Sequence, residues 1–178
     1  MPSARTVFSF PNPVNEKAAR AVAGQVLVTA VLTLVLSLTV SQAWLWLTAA
    51  LSLGFLARVL TGPTLSPFGQ LATRVLAQHL GAPKPVAGPP KRFAQAMGFA
   101  MTAAGTALLA TGHPLGTQIL LAMLIVASGL ESIAAYCLGC KMFAIGMRVG
   151  LIPESVCVEC ANVPAHFRAR ADAAAHSV

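Results

Sequence analysis

Charged residues vanish from two long stretches of the chain. Ala21 to Ala57 and Phe93 to Leu130 contain no Asp, Glu, Lys or Arg. Each stretch is nearly twice the roughly 20 apolar residues that one bilayer crossing takes. A single helix over either would run to about 55 Å at 1.5 Å per residue. Each therefore predicts a hairpin of two transmembrane helices. Internal breaks agree. Ser41-Gln42 divides the first stretch. Gly112-His113-Pro114 divides the second, with a glycine that ends one helix and a proline that starts the next. The predicted spans lie near residues 20–40, 43–61, 93–111 and 115–136. Trp44 and Trp46 follow the first break, where tryptophan's preference for the membrane boundary suits a turn at one face.

The connection from 62 to 92 has a different period. Gly62-Pro63 closes the second span, and Ser66-Pro67 reads as an N-cap followed by a proline in the first turn. Phe68, Leu71, Ala72, Val75, Leu76 and Leu80 then recur at helical spacing, with Gln70, Thr73, Arg74 and Gln78 opposite and Gly81 at the end. The pattern predicts an amphipathic helix of about four turns at the membrane interface. Pro83 to Pro90 reads as a stiff spacer. In the polar segment before the first span, Asn15 is placed to cap the helix, with Glu16 in its first turn. The third span is rich in small residues (Gly98, Ala100, Ala103, Ala104, Gly105, Ala107), which let membrane helices approach closely. It is expected at the centre of the bundle. Lys141 to Ile152 reads as a short helix stopped by Pro153, and the chain past Cys160 is polar and alanine-rich.

The fold expected is all-α and integral to the membrane. Four transmembrane helices form two hairpins, joined by one cytoplasmic interfacial amphipathic helix and followed by a short C-terminal helix with a Cys-rich tail. Residues 1–162 are expected to form a single membrane domain, with 163–178 a flexible tail.

Composition sharpens this. Hydrophobic residues make up 56% of the chain and charged ones 10%, against about 25% charged in a soluble domain. Lipid is the solvent such a chain requires. All 12 Lys and Arg fall in three places: Arg5, Lys17 and Arg20; Arg58, Arg74, Lys84, Lys91 and Arg92; Lys141, Arg148, Arg168 and Arg170. The two short turns hold none. By the positive-inside rule the termini and all cysteines face the cytoplasm, and the membrane is crossed several times. The net charge of +7 then marks topology. Basic and aromatic residues do not interleave, so nucleic-acid binding is not expected. Ser41-Gln42-Ala43 faintly resembles a cleavage site, but the preceding apolar run exceeds the 7–15 residues of a signal peptide's core. The first span is expected to remain.

Four cysteines carry the most specific chemistry, as Cys137-Leu-Gly-Cys140 and Cys157-Val-Glu-Cys160. The spacing C-x2-C-x16-C-x2-C lies within the range of a four-cysteine zinc site. A structural zinc would staple the tail to the fourth span. The same residues also suit thiol exchange. Gly139 is expected to end the fourth span and let a helix start at the first pair, where a helix N-terminus and Lys141 favour the thiolate. Two dithiols then make a relay through mixed disulfides. Cytoplasmic thiols are metal-bound or catalytic more often than cross-linked. Zinc and thiol exchange both stay open on spacing, with iron–sulfur ligation a third option.

Glu131 is the one acidic residue inside a predicted span. A membrane carboxylate is costly and implies a partner or a function. Arg58 is the expected partner, with Arg20 and Arg92 at similar depth. The alternative is a proton acceptor for thiol chemistry, although Glu131 and Cys137 point to different faces of an ideal helix. His79, His113, His166 and His176 share no ligand spacing and read as polar loop or interface residues.

Several elements together carry a resemblance: Asn12-Pro-Val-Asn-Glu16, Leu65-Ser-Pro-Phe68, Pro90-Lys-Arg-Phe-Ala-Gln95 with Gly98, and Leu130-Glu131 through Cys137-Leu-Gly-Cys140. Over roughly residues 10–162 the chain resembles the bacterial membrane family catalogued as domain of unknown function 4395. The resemblance implies a small multi-helix membrane protein whose genes neighbour those of thioredoxin-like and sulfurtransferase proteins. That association favours thiol or sulfur chemistry at Cys137, Cys140, Cys157 and Cys160. The function expected is a membrane thiol protein exchanging electrons or sulfane sulfur with a thioredoxin-like or rhodanese-like partner, with Cys137 or Cys157 as the attacking thiol and Cys140 or Cys160 resolving. The alternatives are a scaffold with structural zinc, and a transporter of a sulfur species, for which four short spans require a homo-oligomer.

Overall fold

The computed structural model describes residues 10–157. Four helices in it are long and apolar enough to cross a membrane. They are α1 (Glu16–Thr39), α2 (Leu47–Thr61, entered through a 3₁₀ turn, Gln42–Trp46), α4 (Gly88–Ala110) and α5 (Pro114–Ala134). Between α2 and α4 lies α3 (Pro67–Leu71), extended by a π-helical turn (Ala72–Leu76) and a last turn (Ala77–His79). After α5 comes α6 (Leu138–Arg148). Two short strands, β1 (Val14–Asn15) and β2 (Pro85–Val86), pair antiparallel.

Helix starts follow local chemistry. The Asn15 side chain accepts the Lys17 N–H, as the cap reading requires, and Ser66 accepts the Gly69 N–H at the start of α3. The third span begins at Gly88, five residues before the apolar run. Pro89 and Pro90 sit in its first turn, where a missing N–H costs nothing because no partner exists there. The expected spacer is thus partly helix and partly the strand β2.

Packing departs from a pair of closed hairpins. α1 lies along α5, α2 along α4, and α4 along α5, while α1 and α2 touch little. The first hairpin is a connection more than a packed pair. Leu45, fully buried, plugs the gap at the turn end. The start of α3 fills it at the other end, where Ala72 is fully buried and the Phe68 carbonyl accepts from Gln25 Nε2. The amphipathic helix is therefore wedged into the bundle on one face, with Leu71 and Val75 left exposed on another. α4 joins α2, α5 and α6, and its small residues explain why. A Cβ at Gly98 would land on the Phe55 ring, and Gly105 faces Thr48 and Thr117. Thr117 Oγ1 also donates to the Gly105 carbonyl across this contact.

Outward positions are apolar along the long helices, including Val28, Leu32, Leu53, Ile119, Met123 and Val126. In lipid this is the expected arrangement. Trp44 and Trp46 are exposed beside the first turn. Basic residues gather at the opposite end and serve as caps. Arg20 donates to the Ser132 and Ile133 carbonyls that close α5, and Lys17 Nζ donates to Leu80 O beyond α3. The N-terminal strap crosses this end. Asn12 Oδ1 accepts the Gly88 N–H, Glu16 N donates to Lys84 O, and Glu16 pairs with Lys84 at 2.8 Å.

Candidate functional site

α5 ends at Ala134 because Ala135 adopts the left-handed conformation, with φ at 54°. Two residues later Cys137 caps α6. Its backbone is extended and its Sγ accepts the Cys140 N–H at 3.3 Å. Gly139 was expected to end the fourth span and the next helix to start at Lys141. Instead Ala135 ends the span and Gly139 lies in the first turn of α6. The reason is steric: a Cβ at Gly139 would stand 2.6 Å from Ala94 Cα on α4. One turn on, Phe143 packs against Phe93 with ring centroids 5.7 Å apart. This face fixes α6 to α4. Leu138, Met142, Ile145 and Val149 form an exposed apolar stripe on another face.

Cys137 and Cys140 are joined as a disulfide, their Cα atoms 5.2 Å apart. Cys137 is 9% exposed and Cys140 is half-buried, so Cys140 is the more accessible. Lys141 follows directly, its ammonium 5.7 Å from the centre of the exposed Tyr136 ring. Cys157 is buried in a 3₁₀ turn (Glu154–Cys157) and is not a free thiol. Cys160 lies outside the described residues, as do Arg5, His166, Arg168, Arg170, His176 and the tail 163–178. Among the described residues no three His, Cys, Asp or Glu side chains gather as a metal-ligand set.

The carboxylate has a different partner from the one expected. Glu131 Oε1 is 2.6 Å from Lys91 Nζ, both side chains being largely buried. Arg58 instead donates to Gln95 Oε1 at 2.8 Å and to Ser66 Oγ at 3.0 Å. It stacks on the Phe55 ring at 4.4 Å, with Phe68 on a second side at 6.0 Å. Arg20 and Arg92 are also spent elsewhere, Arg92 on the Val59 carbonyl. Lys91 takes Glu131 because α4 starts early enough to place Lys91 in the helix, facing α5. The helix-face argument relating Glu131 to Cys137 does not apply, since α5 stops between them.

A cavity of about 250 Å³ lies between α1, α4, α5 and α6, lined by Met97, Met101, Met123, Ser128 and Glu131, with Gly139 and Met142 on the α6 side. Neither cysteine of the disulfide lines it. His113 Nδ1 lies 3.2 Å from Thr111 Oγ1 at the far end of the bundle, and His79 ends α3.

A search of curated proteins and a search of solved structures found no match. Residues 14–148 match the family described as Domain of unknown function (DUF4395), and the chain belongs to that family.

Proposed function

We propose that this is a membrane thiol–disulfide protein in which the Cys137–Cys140 disulfide exchanges with a soluble dithiol partner of thioredoxin-like or sulfurtransferase type. One observation carries the reading: the pair sits at the N-terminus of α6 with Cys137 as its cap. A thiolate at that position is favoured by the helix dipole and by the Cys140 N–H. The family match supports giving the first pair the chemistry, since residues 14–148 include it and exclude the second. The basic residues clustered at this end favour a cytoplasmic orientation. A cystine facing that compartment suits exchange better than cross-linking.

A partner thiolate attacks Sγ of Cys140, the more exposed residue of the pair. The Cys137–Cys140 bond breaks, its electron pair leaves on Cys137 Sγ, and a mixed disulfide forms on Cys140. The partner's second thiolate then attacks its own sulfur in the mixed disulfide and releases Cys140 as a thiolate. The released thiolates take up protons from water according to pH. The membrane protein has gained two electrons and the partner has become a disulfide. The reverse sequence oxidises Cys137 and Cys140.

Trapping tests this. Cys137→Ser leaves Cys140 as the one thiol of the pair, and the thioredoxin-like partner is supplied with its own resolving cysteine replaced by serine and its remaining cysteine activated as a thionitrobenzoate disulfide. Cys140 displaces thionitrobenzoate and holds a mixed disulfide that no second thiolate of either pair can resolve. A reductant-sensitive adduct is expected, in larger amount than with Cys140→Ser. One zinc per chain, with all four thiols shielded from alkylation until a chelator is added, would replace the redox reading with the zinc scaffold.

A further inference from the structure

We propose that Arg58 is the anchor of an oxyanion-binding site, separate from the disulfide, beneath the N-terminal strap. Arg58 is 4% exposed, yet among the described residues no carboxylate pairs with it. The two ion pairs among the described residues are Lys84–Glu16 and Lys91–Glu131. Its Nε and Nη1 are occupied by Gln95 and Ser66, both neutral. Its Nη2 is buried without an acceptor among the described residues. A buried guanidinium with an unmatched charge and an orphaned donor is expensive unless an anion or water completes it.

The space for such an anion is present. Arg58 lines a cavity of about 220 Å³, together with Lys91 and Gln95. Lys91 Nζ gives one N–H to Glu131 and retains two. Gln95 gives its oxygen to Arg58, which leaves its amide NH₂ group as another donor. The polar wall is thus rich in donors. Phe10, Pro11 and Pro13 of the strap and Ala18, Ala19 and Val22 of α1 supply apolar walls. A planar guanidinium beside an ammonium and an amide matches a phosphate-type oxyanion. The end of α2, where basic residues cluster, is also where a lipid phosphate would lie. The ligand is therefore a small oxyanion or the phosphate of an anionic headgroup, read by the same donors.

Thermal unfolding of purified, lipid-stripped protein in detergent separates these. Inorganic phosphate is titrated at constant ionic strength against chloride. A phosphate-dependent rise in Tm of about 3 °C or more is expected if the ligand is a free ion. If it is a headgroup, inorganic phosphate shifts nothing. Nanodiscs containing phosphatidylglycerol then raise Tm over phosphatidylcholine ones, and native mass spectrometry finds a retained anionic lipid. In either case Arg58→Gln loses the response. Ala19→Leu narrows the cavity from its α1 wall and leaves the Arg58 residue itself in place, and it loses the response while keeping wild-type helicity. The site is overturned if neither phosphate source moves the wild type. It is equally overturned if Ala19→Leu responds as the wild type does.

Discussion

The Lys91–Glu131 pair can be separated from the Arg58 alternative by paired substitutions. Nζ and Oε1 are 2.6 Å apart, with side-chain exposures of 10% and 14%. At an effective dielectric of about 20 the gross attraction is about 6 kcal/mol. Desolvating two ions costs several kcal/mol in return. A net coupling of about 2 kcal/mol is left. Lys91→Met alone strands a carboxylate and should cost about 3 kcal/mol. Glu131→Gln strands an ammonium that can still hydrogen-bond the amide, so it should cost less. The double variant should recover about 2 kcal/mol relative to the sum. For Arg58→Met with Glu131→Gln, the two side chains are not bonded to each other, and coupling should fall well below that of Lys91–Glu131. Guanidinium or sodium dodecyl sulfate unfolding in mixed micelles, followed by circular dichroism, reads all four corners of each cycle. Coupling at Arg58–Glu131 that matched or exceeded coupling at Lys91–Glu131 would refute the assignment.

Gly98→Val should destabilise the bundle by at least about 1–3 kcal/mol in the same assay, because its Cβ lands on the Phe55 ring. Gly139→Val should lift α6 from Ala94. Alkylation of reduced Cys137, quantified by mass spectrometry, should then be several-fold faster than in the wild type, and an unchanged rate would count against the close α6–α4 contact. Asn15→Ala removes the acceptor for the Lys17 and Lys84 N–H groups. A loss of about 1 kcal/mol is expected, with Asn15→Asp retaining most of it; equal losses would contradict the cap.

The spans were legible because lipid imposes one demand, an uninterrupted apolar exterior, and Ala21–Ala57 and Phe93–Leu130 state it plainly. Caps at Asn15 and Ser66 were legible for a local reason: a side-chain acceptor next to a helix start has few other uses. Lys91 was missed as the partner of Glu131 because pairing depends on where α4 begins and how it is rotated. Two prolines obscured that start. Gly139 was read as a helix end because a glycine's sequence does not say whether it supplies a turn or a close approach. Here Ala94 decides. Arg58 looked like an ion-pair partner because charge alone suggests a carboxylate. Its real surroundings, Gln95, Ser66 and two aromatic rings, come from three different segments. The spacing of the cysteine pairs left zinc and thiol exchange open, and only the fold shows Cys137 as the cap of α6 and Cys140 as the more exposed residue of its pair.

The redox behaviour of the Cys137–Cys140 pair bears most directly on the proposed exchange. Purified protein in nanodiscs is equilibrated across glutathione and dithiothreitol buffers, alkylated, and read by mass spectrometry of the peptide holding both cysteines. A reversible two-electron transition is expected at roughly −270 to −180 mV, the range of thioredoxin-like exchange proteins. A pair that stays oxidised well below about −300 mV would be a structural cross-link and would contradict the exchange role.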